Sequence, residues 1–209
     1  MNNDFFKHAI ALTGGIATGK STACNLFKLD GFPIIDADKI AHKLLDENSA
    51  KIAEMFGEQY VKNGQVQRKE LGKIIFSNEE EKLKLEGLLH PLIEGEIFKE
   101  SRIFEEQGKS YFIDIPLFFE KMHYDIPKSL VVYTPKSLQI ERLMARDNIS
   151  KEEAKQKISN QMDIEVKKEL ADLVIDNSSN LENLQNEVKK VIGEILWHTQ
   201  NIVQVVMTL

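Results

Sequence analysis

Residues 14–21 read Gly14-Gly15-Ile16-Ala17-Thr18-Gly19-Lys20-Ser21 and match the phosphate-loop pattern G-x-x-x-x-G-K-[ST] at every required position. The preceding Ala9-Ile10-Ala11-Leu12-Thr13 is a short apolar run of the kind a buried parallel strand shows. The following Thr22 to Leu29 holds no Gly or Pro and suits a helix. The motif thus stands in the strand–loop–helix context it requires. Gly14, Gly15 and Gly19 let the backbone turn sharply and approach a polyphosphate closely. Successive N–H groups at a helix start, with the helix dipole behind them, favour an anion. Lys20 supplies a mobile positive charge for the β- and γ-phosphates of ATP, and Ser21 a hydroxyl for Mg²⁺. The candidate nucleotide-binding residues are Gly15, Ala17, Thr18, Gly19, Lys20, Ser21 and Thr22. The dinucleotide fingerprint G-x-G-x-x-G is absent.

The rest of the composition narrows the class. With 209 residues there is room for one α/β domain carrying an additional helical piece. The formal charge of −6 argues against a generally basic nucleic-acid or membrane-surface binder, so anion-binding groups must be gathered locally. The single cysteine, Cys24, precludes an intramolecular disulfide and fits a reducing compartment. On the helix after the loop it reads as a small core residue rather than a nucleophile. No charged-then-apolar leader is seen, and no apolar run reaches membrane-spanning length, so a cytoplasmic location is expected. The tail Ile202–Met207 is too short to span and reads as a docked end or a partner contact.

Five apolar segments alternate with helical patterns: Ala9–Thr13, Pro33–Ile35, Tyr111–Ile115, Leu130–Tyr133 and Leu173–Ile175. That alternation predicts a parallel sheet with helices on both faces. Residues 39–109 look helical almost throughout, broken by turn signals at Asn63-Gly64 and His90-Pro91. This exceeds a simple crossover and reads as a helical region for a second substrate. Thr134-Pro135 reads as a cap and first turn for a helix running to about Arg146, and Ser150-Lys151-Glu152-Glu153 as a capping box for the next. Two charged helices before the last strand, within residues 141–170, suggest a mobile lid on a single 209-residue domain.

In a parallel sheet the carboxyl ends of the strands share one edge, where ligands bind. Asp36, Asp38, Asp114 and Asp176 fall at those ends. Asp36 can deprotonate an attacking hydroxyl or help hold Mg²⁺. Asp38 serves the site or simply caps a helix over Asp38–Leu45. Asp114 can face away from the cleft, and Asp176 can cap a turn. Only four arginines occur among 27 basic residues: Arg68, Arg102, Arg142 and Arg146. Arg142 and Arg146 are four apart on one helix face and suit the charge of a transferring phosphoryl group. The competing reading pairs them with Glu141 or Asp147 in solvent. His90 reads as a buried, satisfied histidine ending one helix, with Pro91 opening the next. His8, His42, His123 and His198 show no metal-ligand spacing.

Taken together these residues resemble the dephospho-coenzyme A kinases. The resemblance is carried, in order, by the phosphate loop, Ile35-Asp36-Ala37-Asp38, Leu89-His90-Pro91, Ile115-Pro116-Leu117-Phe118-Phe119-Glu120, Arg142, Arg146-Asp147, Gln161, Ala171-Asp172 and Val174-Ile175-Asp176-Asn177, over roughly residues 9–193. It implies an α/β P-loop fold with a five-stranded parallel sheet, a helical substrate-binding insertion and a helical lid. It implies transfer of the γ-phosphoryl group of ATP to the ribose 3′-hydroxyl of dephospho-coenzyme A. Carried over, Asp36 looks like the base, and Lys20 and Ser21 like the phosphate and Mg²⁺ ligands. Arg142 and Arg146 look like lid arginines. Asp36, Asp38, Arg68, His90, Pro116 and Leu117 form the acceptor's side. The implied partner is that small molecule, with neither nucleic acid nor membrane, on a monomer or weak homo-oligomer. Two departures stand out. Ala17 replaces the family's usual Gly and is expected to take ordinary backbone angles. Lys157 and Lys167 stand where many relatives have Arg. The rival readings are another small-molecule P-loop kinase, acting on a nucleoside or nucleotide, and a nucleotide-dependent switch. The guanine-specifying Asn-Lys-x-Asp pattern of a switch is absent.

Overall fold

The structure, a computed structural model, describes residues 5–121 and 124–206, with side chains described as far as Trp197. His123, the His198 side chain, Met207 and the side chains of the tail lie outside that description. The chain divides into two compact units, one of residues up to Ile35 with Phe104 onward, the other Asp36–Ile103.

The first unit is built on a five-stranded sheet. Its strands are β1 (Ala9–Gly14), β2 (Ile34–Asp36), β5 (Tyr111–Asp114), β6 (Ser129–Tyr133) and β7 (Leu173–Asp176), in the order β2-β5-β1-β6-β7. β1 runs parallel to both β5 and β6, and β6 parallel to β7, with Leu12 opposite Asp114 and Leu130. Every residue of β1, β5 and β6 is buried, because helices cover both faces; this is why these strands read as continuous apolar runs. One face packs against α1 (Lys20–Leu29) and α10 (Leu181–Val206). Leu184, Val188, Val191 and Ile195 recur at helical spacing along α10 and enter that core with Ala23, Cys24 and Phe27. Burying four such side chains contributes roughly 8 kcal/mol. Phe27 stacks at 4.3 Å on Phe112 of β5, which fixes the roll of α1.

Between β5 and β7 lie α6 (Phe118–Lys121), α7 (Lys136–Asp147), α8 (Lys151–Ser159) and α9 (Ile164–Leu170). The Ser150–Glu153 capping box forms as expected. Asn148 ends α7 in the left-handed region at φ 52°. The Thr134-Pro135 cap does not form: α7 starts at Lys136 without a side-chain cap, and the buried Thr134 hydroxyl turns instead to backbone carbonyls.

The second unit holds α2 (Ala37–Glu47), α3 (Ser49–Phe56), β3 (Val61–Lys62), β4 (Gln65–Val66), α4 (Arg68–Ser77) and most of α5 (Glu79–Glu106). Leu45, Ile52, Val66, Leu71 and Leu89 form its core. The turn signalled at Asn63-Gly64 forms, with both residues at positive φ (52° and 76°), and joins the strands of a small antiparallel hairpin, so this stretch is not helical. Two further expectations are corrected here. The cap of α2 is Asp36, whose side chain accepts from the Lys39 N–H, and Asp38 sits in the first turn. α5 runs unbroken through Pro91. A proline there removes one backbone hydrogen bond and crowds the carbonyl four residues earlier, and that residue is Gly87. Leu89 before it and Ile97 after it are both buried and hold the two halves in line.

Candidate active site

The phosphate loop connects β1 to α1 as a closed hydrogen-bonded turn. Gly19 caps α1 at φ 87° with no side-chain cap hydrogen bond. The first amides of a helix have no preceding carbonyl to take them, so those of Lys20 and Ser21 are oriented for an anion. A Cβ on Gly19 would lie 2.2 Å from the Asn177 amide nitrogen, so only glycine fits in both space and angle. Ala17 also occupies the left-handed region, at φ 62°. The expectation of ordinary backbone angles there is therefore wrong: the loop imposes a glycine conformation on a residue with a methyl group.

Side chains hold four of the loop's backbone groups. The Thr18 carbonyl accepts from Asn177 Nδ2 at 2.8 Å and from Thr134 Oγ1 at 3.1 Å. The Gly15 carbonyl accepts from Thr18 Oγ1 at 2.9 Å. The Ile16 N–H donates to Gln161 Oε1 at 2.8 Å, and Lys167 Nζ donates to the Gly14 carbonyl at 3.1 Å. Arg142 joins this network through Thr134 Oγ1, at 3.2 Å, and approaches the Ser179 carbonyl at 3.5 Å. Arg146 does not: it is exposed and pairs with Asp147 at 2.8 Å. Lys157 shares that carboxylate at 3.0 Å, and the two cations hold Asp147 down to about 2.

Lys20 forms an ion pair with Asp114, the last residue of β5. Asp114 therefore faces the head of α1 rather than away from it. Its other oxygen is 3.5 Å from the Cys24 thiol. Burial, reinforced by that carboxylate and opposed by Lys20, pushes the Cys24 thiol up to about 12. Asp176 serves a turn, accepting from the Ser178 N–H at 2.9 Å. Pro116, whose carbonyl takes Thr13 Oγ1 at 3.0 Å, and Leu117 are half-buried just beyond β5. Ser21 and Thr22 are exposed in the first turn of α1.

In the second unit, Asp36 closes β2 and caps α2. Its Oδ1 accepts from the Lys39 N–H at 3.0 Å and its Oδ2 pairs with Lys39 Nζ at 2.9 Å. Asp38 is exposed. Arg68 pairs with Asp46 and lines an open cavity of about 520 Å³ with Gln65, Gln67 and Lys69. His90 is half-buried on α5, not buried as expected.

A family model described as Dephospho-CoA kinase matches residues 8–183. The chain belongs to the dephospho-CoA kinase family. A dephospho-CoA kinase of Sulfurimonas denitrificans is 50% identical over 190 residues, which cover 91% of this chain and 95% of that protein. A dephospho-CoA kinase structure from Campylobacter jejuni superposes with a TM-score of 0.73 at 41% identity, covering 90% of this chain and 96% of that one. The structure of TT1252 from Thermus thermophilus gives a TM-score of 0.78 at 30% identity, with 89% and 96% covered. Membership of the dephospho-CoA kinase family makes the chain an ATP-dependent phosphotransferase with a P-loop α/β fold. Against that background, Thr134, Gln139 and Lys167 are the residues that sequence reasoning left without a role at the loop. Gln139 donates to the Thr134 carbonyl at 2.7 Å, and its Oε1 lies 3.0 Å from where a Gly15 Cβ would be. For Gln139 the available signal was a polar residue beside Ile140 and Leu143 on the buried side of α7.

Proposed function

We propose that this chain transfers the γ-phosphoryl group of ATP to the 3′-hydroxyl of dephospho-coenzyme A, giving coenzyme A and ADP. Family membership carries this reading, and the uncapped head of α1 supports it. In this reading the amides of Ala17 and Gly19 to Ser21 hold the β- and γ-phosphates, with Thr22 beside them in the first turn of α1. Lys20 leaves Asp114 for the phosphate oxygens, and Arg142 and Arg146 offset the charge on the transferring group. Asp36 orients the acceptor hydroxyl and takes its proton as the new P–O bond forms. Asp38, Arg68, His90, Pro116 and Leu117 serve the acceptor. The lid lies within residues 141–170.

The residues present also fit Mg²⁺. Ser21 offers an exposed hydroxyl oxygen at the head of α1, and this cation takes few protein ligands alongside phosphate oxygens and water. Among the described residues no group of three or more His, Cys, Asp or Glu forms a dedicated metal cage. Bound there, the ion would draw charge from the phosphates. The chain is expected to work in the cytoplasm; no helix among the described residues is long and apolar enough to cross a membrane.

The test is ADP release, measured by a coupled assay, with dephospho-coenzyme A and a panel of nucleosides and nucleotides as acceptors. Turnover with dephospho-coenzyme A alone is expected. Faster turnover with any nucleoside or nucleotide would replace this reading, and acceptor-independent slow hydrolysis would favour a switch.

A further inference from the structure

Lys167 is fully buried, yet it is a lysine. Its ammonium has three N–H donors and three acceptors within reach: the Gly14 carbonyl at 3.1 Å, the Pro116 carbonyl at 3.3 Å and Glu120 Oε1 at 2.8 Å. A buried ion pair adds little net stability, because desolvation offsets the Coulomb attraction. What it adds is direction. Glu120 Oε1 also accepts from the Met162 N–H at 3.0 Å, so the arm that leads from α8 into α9 is tied to the same carboxylate. At the start of that arm Gln161 takes the Ile16 N–H.

These contacts lock two successive peptide planes of the phosphate loop. In a trans peptide the C=O and the following N–H point in opposite directions. Lys167 holds the Gly14 carbonyl and so aims the Gly15 N–H the opposite way. Gln161 holds the Ile16 N–H and so turns the Gly15 carbonyl back onto Thr18, which donates to it through both Oγ1 (2.9 Å) and N–H (3.3 Å). Ile164, one turn before Lys167, comes within 3.6 Å of a Cβ built on Gly15, so α9 packs at contact distance beside this stretch of the loop.

We infer that Lys167 and Gln161 are positioning residues for ATP, holding the first half of the phosphate loop from behind through the backbone of Gly14 and Ile16. They act through the loop, not by touching phosphate. This rests on the reading of the loop as the ATP site.

The experiment measures ATP binding by calorimetry and steady-state kcat and KM for both substrates, using the full chain. Lys167→Met removes all three donors at nearly constant volume. It is expected to weaken ATP binding and raise KM for ATP about tenfold, with KM for dephospho-coenzyme A within about twofold. Lys167→Arg, which keeps charge and donors, is expected to recover most of the loss. If Lys167→Met does not fold, Gln161→Leu decides, with an expected rise of about fivefold in KM for ATP alone. Unchanged ATP affinity in the folded variants, or equal changes in both KM values, would overturn the inference. An unaltered chain without measurable ATP affinity would overturn the reading of the loop and this inference with it.

Discussion

The Lys20 ammonium is ion-paired to the Asp114 carboxylate, joining the head of α1 to the end of β5. Both side chains are mostly covered, at 17% and 12% exposure, so the pair is partly desolvated. Asp114→Asn leaves Lys20 without its counter-charge and is expected to destabilise the chain by about 2 kcal/mol, below the range for fully buried pairs. Saturating ATP supplies a new partner for Lys20, so the deficit should narrow to about 1 kcal/mol. Denaturant midpoints with and without ATP measure both numbers. A deficit that ATP leaves unchanged would mean that Lys20 does not exchange Asp114 for phosphate.

Cys24 lies beside the same carboxylate, and its thiol is raised from 9.0 to about 12. The folded state therefore favours the neutral thiol. The associated stability is fully present below pH 9 and declines as the pH rises towards 12. At pH 8 the thiolate population is about a thousandfold lower than in the unfolded chain. Iodoacetamide should leave Cys24 unmodified in buffer and alkylate it in denaturant. Rapid alkylation of the native chain would contradict the burial of this thiol.

Asp147 behaves in the opposite sense. Its carboxylate is lowered from 3.8 to about 2 by Arg146 first and Lys157 second. A depressed acid stabilises the folded state above its unfolded pKa, and that contribution is lost as the pH falls through the folded value. Asp147→Asn should therefore lower Tm by a constant amount near neutrality, and the difference should close between pH 4 and pH 2. Thermal melts across that window provide the check.

Ala17 sits at φ 62°, which costs a residue with a Cβ about 1 kcal/mol. It packs against the cluster formed by Ile140, Leu143, Ala154 and Ile158, and this contributes at most about 0.8 kcal/mol. Ala17→Gly relieves the backbone, but it loses that packing and loosens the unfolded chain by about 0.7 kcal/mol. The three effects nearly cancel, so its stability should lie within about 0.5 kcal/mol of the unaltered chain. Ala17→Val adds a β-branch in the same conformation and should cost at least about 2 kcal/mol. Urea unfolding of both variants tests the assignment of this angle.

Much of this architecture is legible in the amino-acid order. The five strands fall within a residue or so of their apolar segments, because strands buried on both faces are apolar through their middles, with polar residues confined to their ends. The phosphate loop is legible because its chemistry needs fixed residue types at fixed spacing. Three features were read too coarsely. Asn63-Gly64 carries a hairpin signal, but its strands are two residues each and lie among helical patterns. Pro91 reads as a boundary, yet tertiary packing on both sides of it carries the helix through. Ala17 takes its angle from the loop, not from its own preference. The supports of the site are not legible at all. Lys20 meets Asp114 across 94 positions, Ile16 meets Gln161 across 145, and Gly14 meets Lys167 across 153. No local pattern encodes such pairings; they exist only once the sheet brings its strand ends together.

Asp36 has two separable roles, and one substitution divides them. As the cap of α2 it needs an acceptor oxygen for the Lys39 N–H, which Asn supplies about as well as Asp. As a base it needs a negative charge, which Asn lacks. The Lys39 ammonium that pairs with it is 75% exposed, so losing that ion pair costs little. Asp36→Asn should therefore shift Tm by no more than about 2 °C and leave ATP binding within about twofold, while kcat falls by about 10²–10⁴. Asp36→Ala loses the cap as well and should be less stable by a further 1 kcal/mol or about that. If Asp36→Asn turns over dephospho-coenzyme A at a near-normal rate, Asp36 is a helix cap and the proton goes elsewhere.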